Sequence, residues 1–340
     1  MNDLLIGLLS AAVATNAPTA LSNFVKQRTG AAVEVVQSND PVEQAYRKLM
    51  TDDDAAQADV DGWISERQKS GRKETDVEQA AFRARIKRRF EPVIQGYERF
   101  IEAHPQHANA RLAYGSFLND IGEEDSAEAQ WEKARELDPA NPAAWNNLAN
   151  FNGHRGDVKK AFGYYERAIE LGPSEPVYFQ NFATTVFLFR KDAREHYNIT
   201  EQEVFAKAMG LYRKAAALDP GNFSTAAELA QTYYGIILPK GNDPAAKRQA
   251  ELKQADEALA AWRAASKLAR NEAEREGINL HFARWQINSD RLAEARKSLD
   301  AVTNDMWLPS KATLVKKLES REAAARKIND LPAISAPVKP

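Results

Sequence analysis

The chain has 340 residues, no cysteine and a formal net charge of −2. The missing thiols exclude disulfides, thiolate metal sites and cysteine nucleophiles, and the near-neutral charge implies no overall pull toward nucleic acid or anionic membrane. Modest glycine and proline with many alanine-rich amphipathic stretches favour an all-α fold.

In chain order, the first feature is the apolar run Leu4–Ala14. It falls short of the roughly 20 residues a membrane span needs. Its length suits a signal-peptide core, and Ala12-Val13-Ala14 resembles a cleavage site, yet no Lys or Arg precedes it and Asp3 makes the start negative. Two expectations arise: a short helix in a cytoplasmic chain, or an exported or membrane-associated protein anchored by this segment. Residues 1–30 read as two short helices separated by Asn16–Thr19, and Ala31–Val36 as a short strand or linker. Asn39-Asp40-Pro41 predicts a helix start, with a cap residue and a first-turn proline, for a helix carrying Val42, Tyr46, Leu49 and Met50. Asp52, Asp53 and Asp54 predict a second start, for a helix reaching about Lys69 with Val60, Trp63 and Ile64 on its apolar side. Residues 1–73 are thus a helical N-terminal region of no recognisable family, joined at Ser70-Gly71 to the rest of the chain.

From Glu74 a helix runs to Phe90, and Pro92 predicts the start of the next, which carries Val93, Tyr97, Phe100 and Ile101 and ends at His104-Pro105. Arg83, Arg85, Lys87, Arg88 and Arg89 form a basic cluster, with Arg85, Arg88 and Arg89 three and four apart. A basic helix can contact phosphates; the plainer expectation is a solvated face paired with the acidic run Asp52–Asp61.

Two consecutive units of one pattern come next, at an offset of 34 residues. Tyr114, Gly115, Gly122, Ala127, Trp131, Ala134 and Pro139 in the first are matched by Leu148, Ala149, Gly156, Ala161, Tyr165, Ala168 and Pro173 in the second. Small residues fall where two helices cross, large rings lie beside them, and proline stops each second helix. The spacing resembles the tetratricopeptide repeat, a helix–turn–helix unit that stacks into a solenoid. If Pro105 is aligned with Pro139, Tyr97 lands where Trp131 does, which makes the preceding stretch a degenerate repeat or cap. The resemblance implies a right-handed α-solenoid over residues 74–304, with units near 108–141, 142–175, 176–222 and 223–270 and a weak unit at 276–304.

The third and fourth units depart from the period. Segments 190–203 and 236–253 are inserted between first and second helix, so stacking places them side by side on one edge. The first insertion is expected to lengthen its helix past Arg190, and Thr200-Glu201-Gln202-Glu203 has the form of a capping box. After Met306-Trp307-Leu308-Pro309, Ser310 is expected to cap a terminal helix within 305–330 that shields the last repeat. The tail 331–340 is expected to be disordered.

In the family the first helix of each pair lines a concave face where extended peptides bind. Carried over residue by residue, that implies a partner-binding groove of Asn146, Asn147, Asn150, Gln180, Asn181, Thr184, Glu228, Gln231 and Tyr234. A side-chain amide donates and accepts at once, so a row of asparagines suits a peptide backbone of any sequence. The positions that carry cations in the family's carboxylate-clamping variant are here Asn146, Ser224 and Glu228, so that clamp is not expected. The five histidines are scattered, and there is no phosphate loop, nucleophile elbow or His-Glu-x-x-His. The expectation is a non-enzymatic scaffold for a protein or extended peptide, with no catalytic residue, metal or cofactor. An assembly factor anchored at residues 4–14 is the first rival, and a nucleic-acid binder using the helix at 82–89 is the second.

Overall fold

The computed structural model describes residues 40–72, 74–238 and 243–329. The expectations for residues 1–39 and for the tail 331–340 lie outside that range, as do residues 239–242 of the second insertion. Every regular element among the described residues is helical. They fall into two compact units divided within one helix, at Thr185–Val186.

The first unit opens with α1 (Pro41–Ser70) and α2 (Asp76–Ala103). The Asp40 side chain caps α1, Pro41 occupies its first turn, and Gly71 ends it at φ 58°, in the left-handed region that glycine tolerates. The second helix start expected at Asp52–Asp54 does not exist: α1 is continuous for 30 residues. Its buried stripe of Leu49, Met50, Asp53, Ala56, Gln57 and Val60 runs straight through the aspartates at helical spacing. Asp53 faces inward and accepts from the Tyr97 hydroxyl at 2.7 Å and from Gln57 Nε2 at 2.6 Å.

α2 likewise overrides its expected break, continuing through Pro92 for 28 residues. An interior proline costs about 3 kcal/mol. Here Phe90, Val93, Tyr97 and Phe100 lie on one apolar stripe spanning both sides of it, and all four join a single core cluster. A capping box of Thr75 and Glu78 starts the helix.

Four helices follow as two pairs: α3 (Ala108–Asp120) with α4 (Glu124–Leu137), and α5 (Pro142–Arg155) with α6 (Val158–Leu171). The turns within the pairs are made by Gly122 at φ 85° and Gly156 at φ 94°. Gly115 explains the small residue at the crossing: a Cβ there would lie 2.6 Å from Trp131 Cδ1 and 3.1 Å from the Ala127 carbonyl oxygen. The ring positions act alike in two units, while in the unit between them Trp131 meets Phe151 edge-on with centroids 6.5 Å apart. Tyr97 stacks on Tyr114 with centroids 4.9 Å apart, and Tyr165 on Phe182 at 5.4 Å, each ring lying flat on a residue of the next first helix. This makes α2 the second helix of a degenerate repeat. α7 (Pro176–Leu188) provides that next first helix after α6.

Gly115→Ala is expected to destabilise the first unit by about 1–3 kcal/mol, because the methyl group displaces a buried indole. Ala149, the equivalent residue of the following unit, stands beside the smaller Tyr165. Trp131→Tyr should therefore restore part of the loss in the double variant. Equal urea midpoints for Gly115→Ala and the parent chain would contradict the close contact.

The second unit continues with α8 (Arg190–Tyr197), α9 (Glu201–Leu218), α10 (Phe223–Thr232) and a 3₁₀ turn at Tyr233–Gly235. The helix before the insertion is not lengthened past Arg190. It stops at Leu188, Phe189 adopts φ −101°, ψ 51°, and α8 starts anew. The expected capping box at Thr200–Glu203 opens α9. α11 (Pro244–Ser266) absorbs the second insertion by starting early. α12 (Glu272–Asn288) and α13 (Leu292–Asp300) form the weak last pair, turned by Asp290 at φ 61°, where the regular units use glycine. α14 (Leu308–Asn329) begins two residues before Ser310, with Pro309 in its first turn, and buries Leu314 and Leu318 against Leu280, Ile287 and Leu299. Glu276 fixes the turn before it, accepting from Asn304 N at 2.7 Å, Thr303 N at 2.8 Å and Thr303 Oγ1 at 2.9 Å. Those bonds, first the one from Asn304, hold its carboxyl below the usual range.

Candidate functional site

The first helices α3, α5 and α7 of the first unit carry a connected row of polar side chains. Asn181 Nδ2 donates to Asn146 Oδ1 at 3.1 Å, and Asn146 Nδ2 to Asn147 Oδ1 at 3.3 Å. Asn147 Nδ2 donates to Ser116 Oγ at 3.3 Å, and that hydroxyl donates to the Leu112 carbonyl at 3.2 Å. The row therefore crosses three successive repeats and ends on backbone. Asn146 and Asn147 are 3% and 5% exposed, so their amides fasten repeat to repeat. The half-buried surface of this face is carried by Asn150, Gln180, Asn181 and Thr184.

Asn150 is oriented from below. Its Oδ1 accepts from the Tyr165 hydroxyl at 2.5 Å, and the phenol oxygen in turn accepts from Thr185 Oγ1 at 3.1 Å. Burial raises the Tyr165 phenol well above its ordinary range, so it stays protonated and able to donate. Thr184 returns its hydroxyl to the Gln180 carbonyl at 3.0 Å.

The remaining sequence-derived residues lie in the second unit. Glu228 accepts from Ser224 Oγ at 3.1 Å, and Gln231 is half-buried on the same helix. Tyr234 is 36% exposed, but its hydroxyl end is enclosed, 3.0 Å from His281 Nδ1. Its ring stacks on Trp285 with centroids 4.9 Å apart, while His281 stacks on Trp262 at 3.9 Å. Burial raises the Tyr234 hydroxyl above its ordinary range. Burial, and then the charge of Arg284, push His281 down to about 3, so its imidazole is neutral at pH 7. Sequence reasoning missed His281 and Trp285 as partners of Tyr234, because the insertion at 236–253 obscures the register between the fourth and fifth units.

The basic helix is partly occupied. Arg89 Nε lies 2.8 Å from Asp59 Oδ2, and the Arg85 guanidinium covers the Trp63 ring at 3.7 Å. Two of the three basic side chains that share a face are thus turned to α1, Arg89 to the acidic run as expected. The two insertions touch: Ile237 N donates to Gln202 Oε1 at 3.2 Å, and Gly235 packs on the Phe205 ring. Beside them is an open cleft of about 340 Å³ lined by Leu188, Arg190, Lys191, Arg194 and Glu201. Among the described residues no group of three or more His, Asp or Glu is placed to hold a metal ion, and no helix is long and apolar enough to cross a membrane.

Helix–turn–helix pairs, glycine at the turn, a small residue at the crossing and a ring stacked on the next pair define an α-helical repeat protein. Residues 120–176 match the family model described as tetratricopeptide repeat. The matched stretch, from the end of α3 to the start of α7, therefore carries tetratricopeptide repeats. Among solved structures the chain is similar to PilW, described as a widely conserved type IV pilus biogenesis factor, at 14% identity and TM-score 0.49, over 71% of this chain and 100% of that one. A structure of Pseudomonas aeruginosa PilF gives 17% identity and TM-score 0.47, over 81% and 99%. YrrB, described as a TPR protein with an unusual peptide-binding site, gives 15% and 0.47, over 66% and 97%. No curated protein matches the chain in sequence. Likenesses this distant carry no function across.

Proposed function

We propose that the chain is a non-enzymatic scaffold that holds a protein or extended peptide against the first-helix face of its repeats. The observation that carries this reading is the row Asn181–Asn146–Asn147–Ser116, a connected line of polar side chains across three stacked helices. Polar groups already bonded to one another form a fixed pattern of donors and acceptors, and a bound backbone adds to it through the half-buried Asn150, Gln180, Asn181 and Thr184. Because Asn146 and Asn147 are spent on each other, they supply rigidity and the outer four supply contact. Recognition of this kind favours backbone over side chains, so a partner is selected by shape and extension first.

A photo-crosslinking residue placed at Asn181 in the native cell is expected to yield one discrete protein adduct, while the same residue at Lys133, exposed on a second helix, yields none. Adducts of equal yield at both positions, or at neither, would overturn the reading. The partner is then identified from the adduct.

A further inference from the structure

The end of the second unit holds a corner in which cations outnumber carboxylates. Arg284 on α12 is half-buried, with its guanidinium 5.5 Å from the Tyr234 ring centroid, and it has no carboxylate within ion-pair distance among the described residues. Lys317 on α14 has none either, and its ammonium donates to the neutral Asn288 Oδ1 at 2.8 Å. Arg321, one turn further along α14, must share Asp290 with Arg248: Arg321 lies 3.1 Å from Oδ1, and Arg248 pairs with Oδ2. Arg248 is completed by Glu251 at 3.2 Å. Four cations therefore face two carboxylates. Incomplete solvation, then the charges of Arg284 and Arg321, lower the Lys317 ammonium's pKa, as expected of a cation held among cations. The buried Trp285 indole N–H, in the ring stacked on Tyr234, also has no acceptor in hydrogen-bond geometry.

We propose that this corner is a docking site for the acidic side chains of a partner protein segment. The proposal deepens the protein-binding reading and rests on it. Like charges held together without counter-charge cost free energy, and an anionic ligand recovers it through charge-assisted bonds. The cations are spread over three helices, α11, α12 and α14, with Lys317 and Arg321 four apart on one face of α14, so they suit several carboxylates in a row better than one compact anion. The open part of Tyr234, stacked on Trp285, offers an apolar surface beside them, which suits a segment with aliphatic residues between its acids.

The test uses the full chain and a labelled peptide of alternating glutamate and leucine, acetylated and amidated at its ends, followed by fluorescence anisotropy. Saturable binding that weakens with added salt is expected. Arg284→Gln with Lys317→Gln should weaken it by about tenfold or more, and Lys317→Arg should retain it. The control pair Arg83→Gln with Lys87→Gln, on the exposed basic helix, should leave it unchanged, and circular dichroism should show native helicity in every variant. Absence of saturable binding, or equal weakening by the control pair, would sink the proposal. So would a requirement for a free peptide C-terminus, or displacement by inorganic phosphate at equal concentration. Failure here with the Asn181 adduct intact overturns the acidic corner alone; binding here without that adduct overturns the first-helix site alone.

Discussion

Truncating Tyr165 to alanine is expected to lower the unfolding free energy of the first unit by about 3–5 kcal/mol, the range for deleting a large buried ring. Three observations set the size. The side chain is 1% exposed, its ring lies at 15° to Phe182 in a stack, and its hydroxyl joins Asn150 to Thr185. In a repeat array each unit is stabilised by its neighbours, so the damage should centre on α5, α6 and α7. Amide exchange should report it there first. Tyr165→Phe separates packing from polarity: it keeps the stack, frees Asn150, and is expected to cost about 1–2 kcal/mol. A loss below about 1 kcal/mol for the alanine variant, on this scale, would mean that the stacked ring is not what joins the repeats.

Acidification should destabilise the second unit through His281. Its folded pKa of about 3 lies below the ordinary histidine value of 6.5. Between those values the unfolded chain binds a proton that the folded chain refuses. The stabilising contribution is therefore complete above pH 6.5 and lost progressively as pH falls toward 3. From pH 7 to pH 5, where carboxylates are still ionised, the loss is about 2 kcal/mol. Chemical denaturation at both pH values measures it. His281→Gln removes the titration and is expected to flatten the dependence, while starting less stable because the stack on Trp262 is gone. An unchanged slope in that variant would assign the acid sensitivity to other groups.

The regular repeats were legible in the sequence because their constraints are local. Gly122 and Gly156 mark turns that need positive φ, Pro139 and Pro173 end helices, and Gly115 answers to Trp131 within its own pair. The breaks predicted at Asp52–Asp54 and at Pro92 were wrong for a common reason. Cap preference and proline avoidance are worth roughly one to three kcal/mol each, and a continuous apolar stripe buried against neighbouring helices outweighs them. Asp53 shows the contest in one residue. By composition it is a cap, yet it lies inside a helix because the Tyr97 hydroxyl, 44 positions away, supplies its bond.

The candidate site was legible by position and not by chemistry. Aligning first helices was enough to place Asn146, Asn147, Asn150 and Asn181 in one neighbourhood. Which amide bonds to which, and how little of Asn146 and Asn147 remains open, depends on distances between helices that spacing does not encode. His281, Arg284 and Lys317 were missed for a related reason. Their grouping requires the fifth pair and α14 in register, across a turn at Asp290 that lacks the glycine signature.

α14 has a consequence for how the molecule behaves when cut. Its Leu314 and Leu318 occupy the surface that another helix pair would cover if the stack continued. A chain ending before Leu308 would present Leu280, Ile287 and Leu299 as a reactive growth end. Such an end accepts the leading face of any similar stack, a head-to-tail contact that no symmetry closes. α14 thus acts as a chain terminator in the polymer sense, covering the face of the α12–α13 pair from which such growth would start.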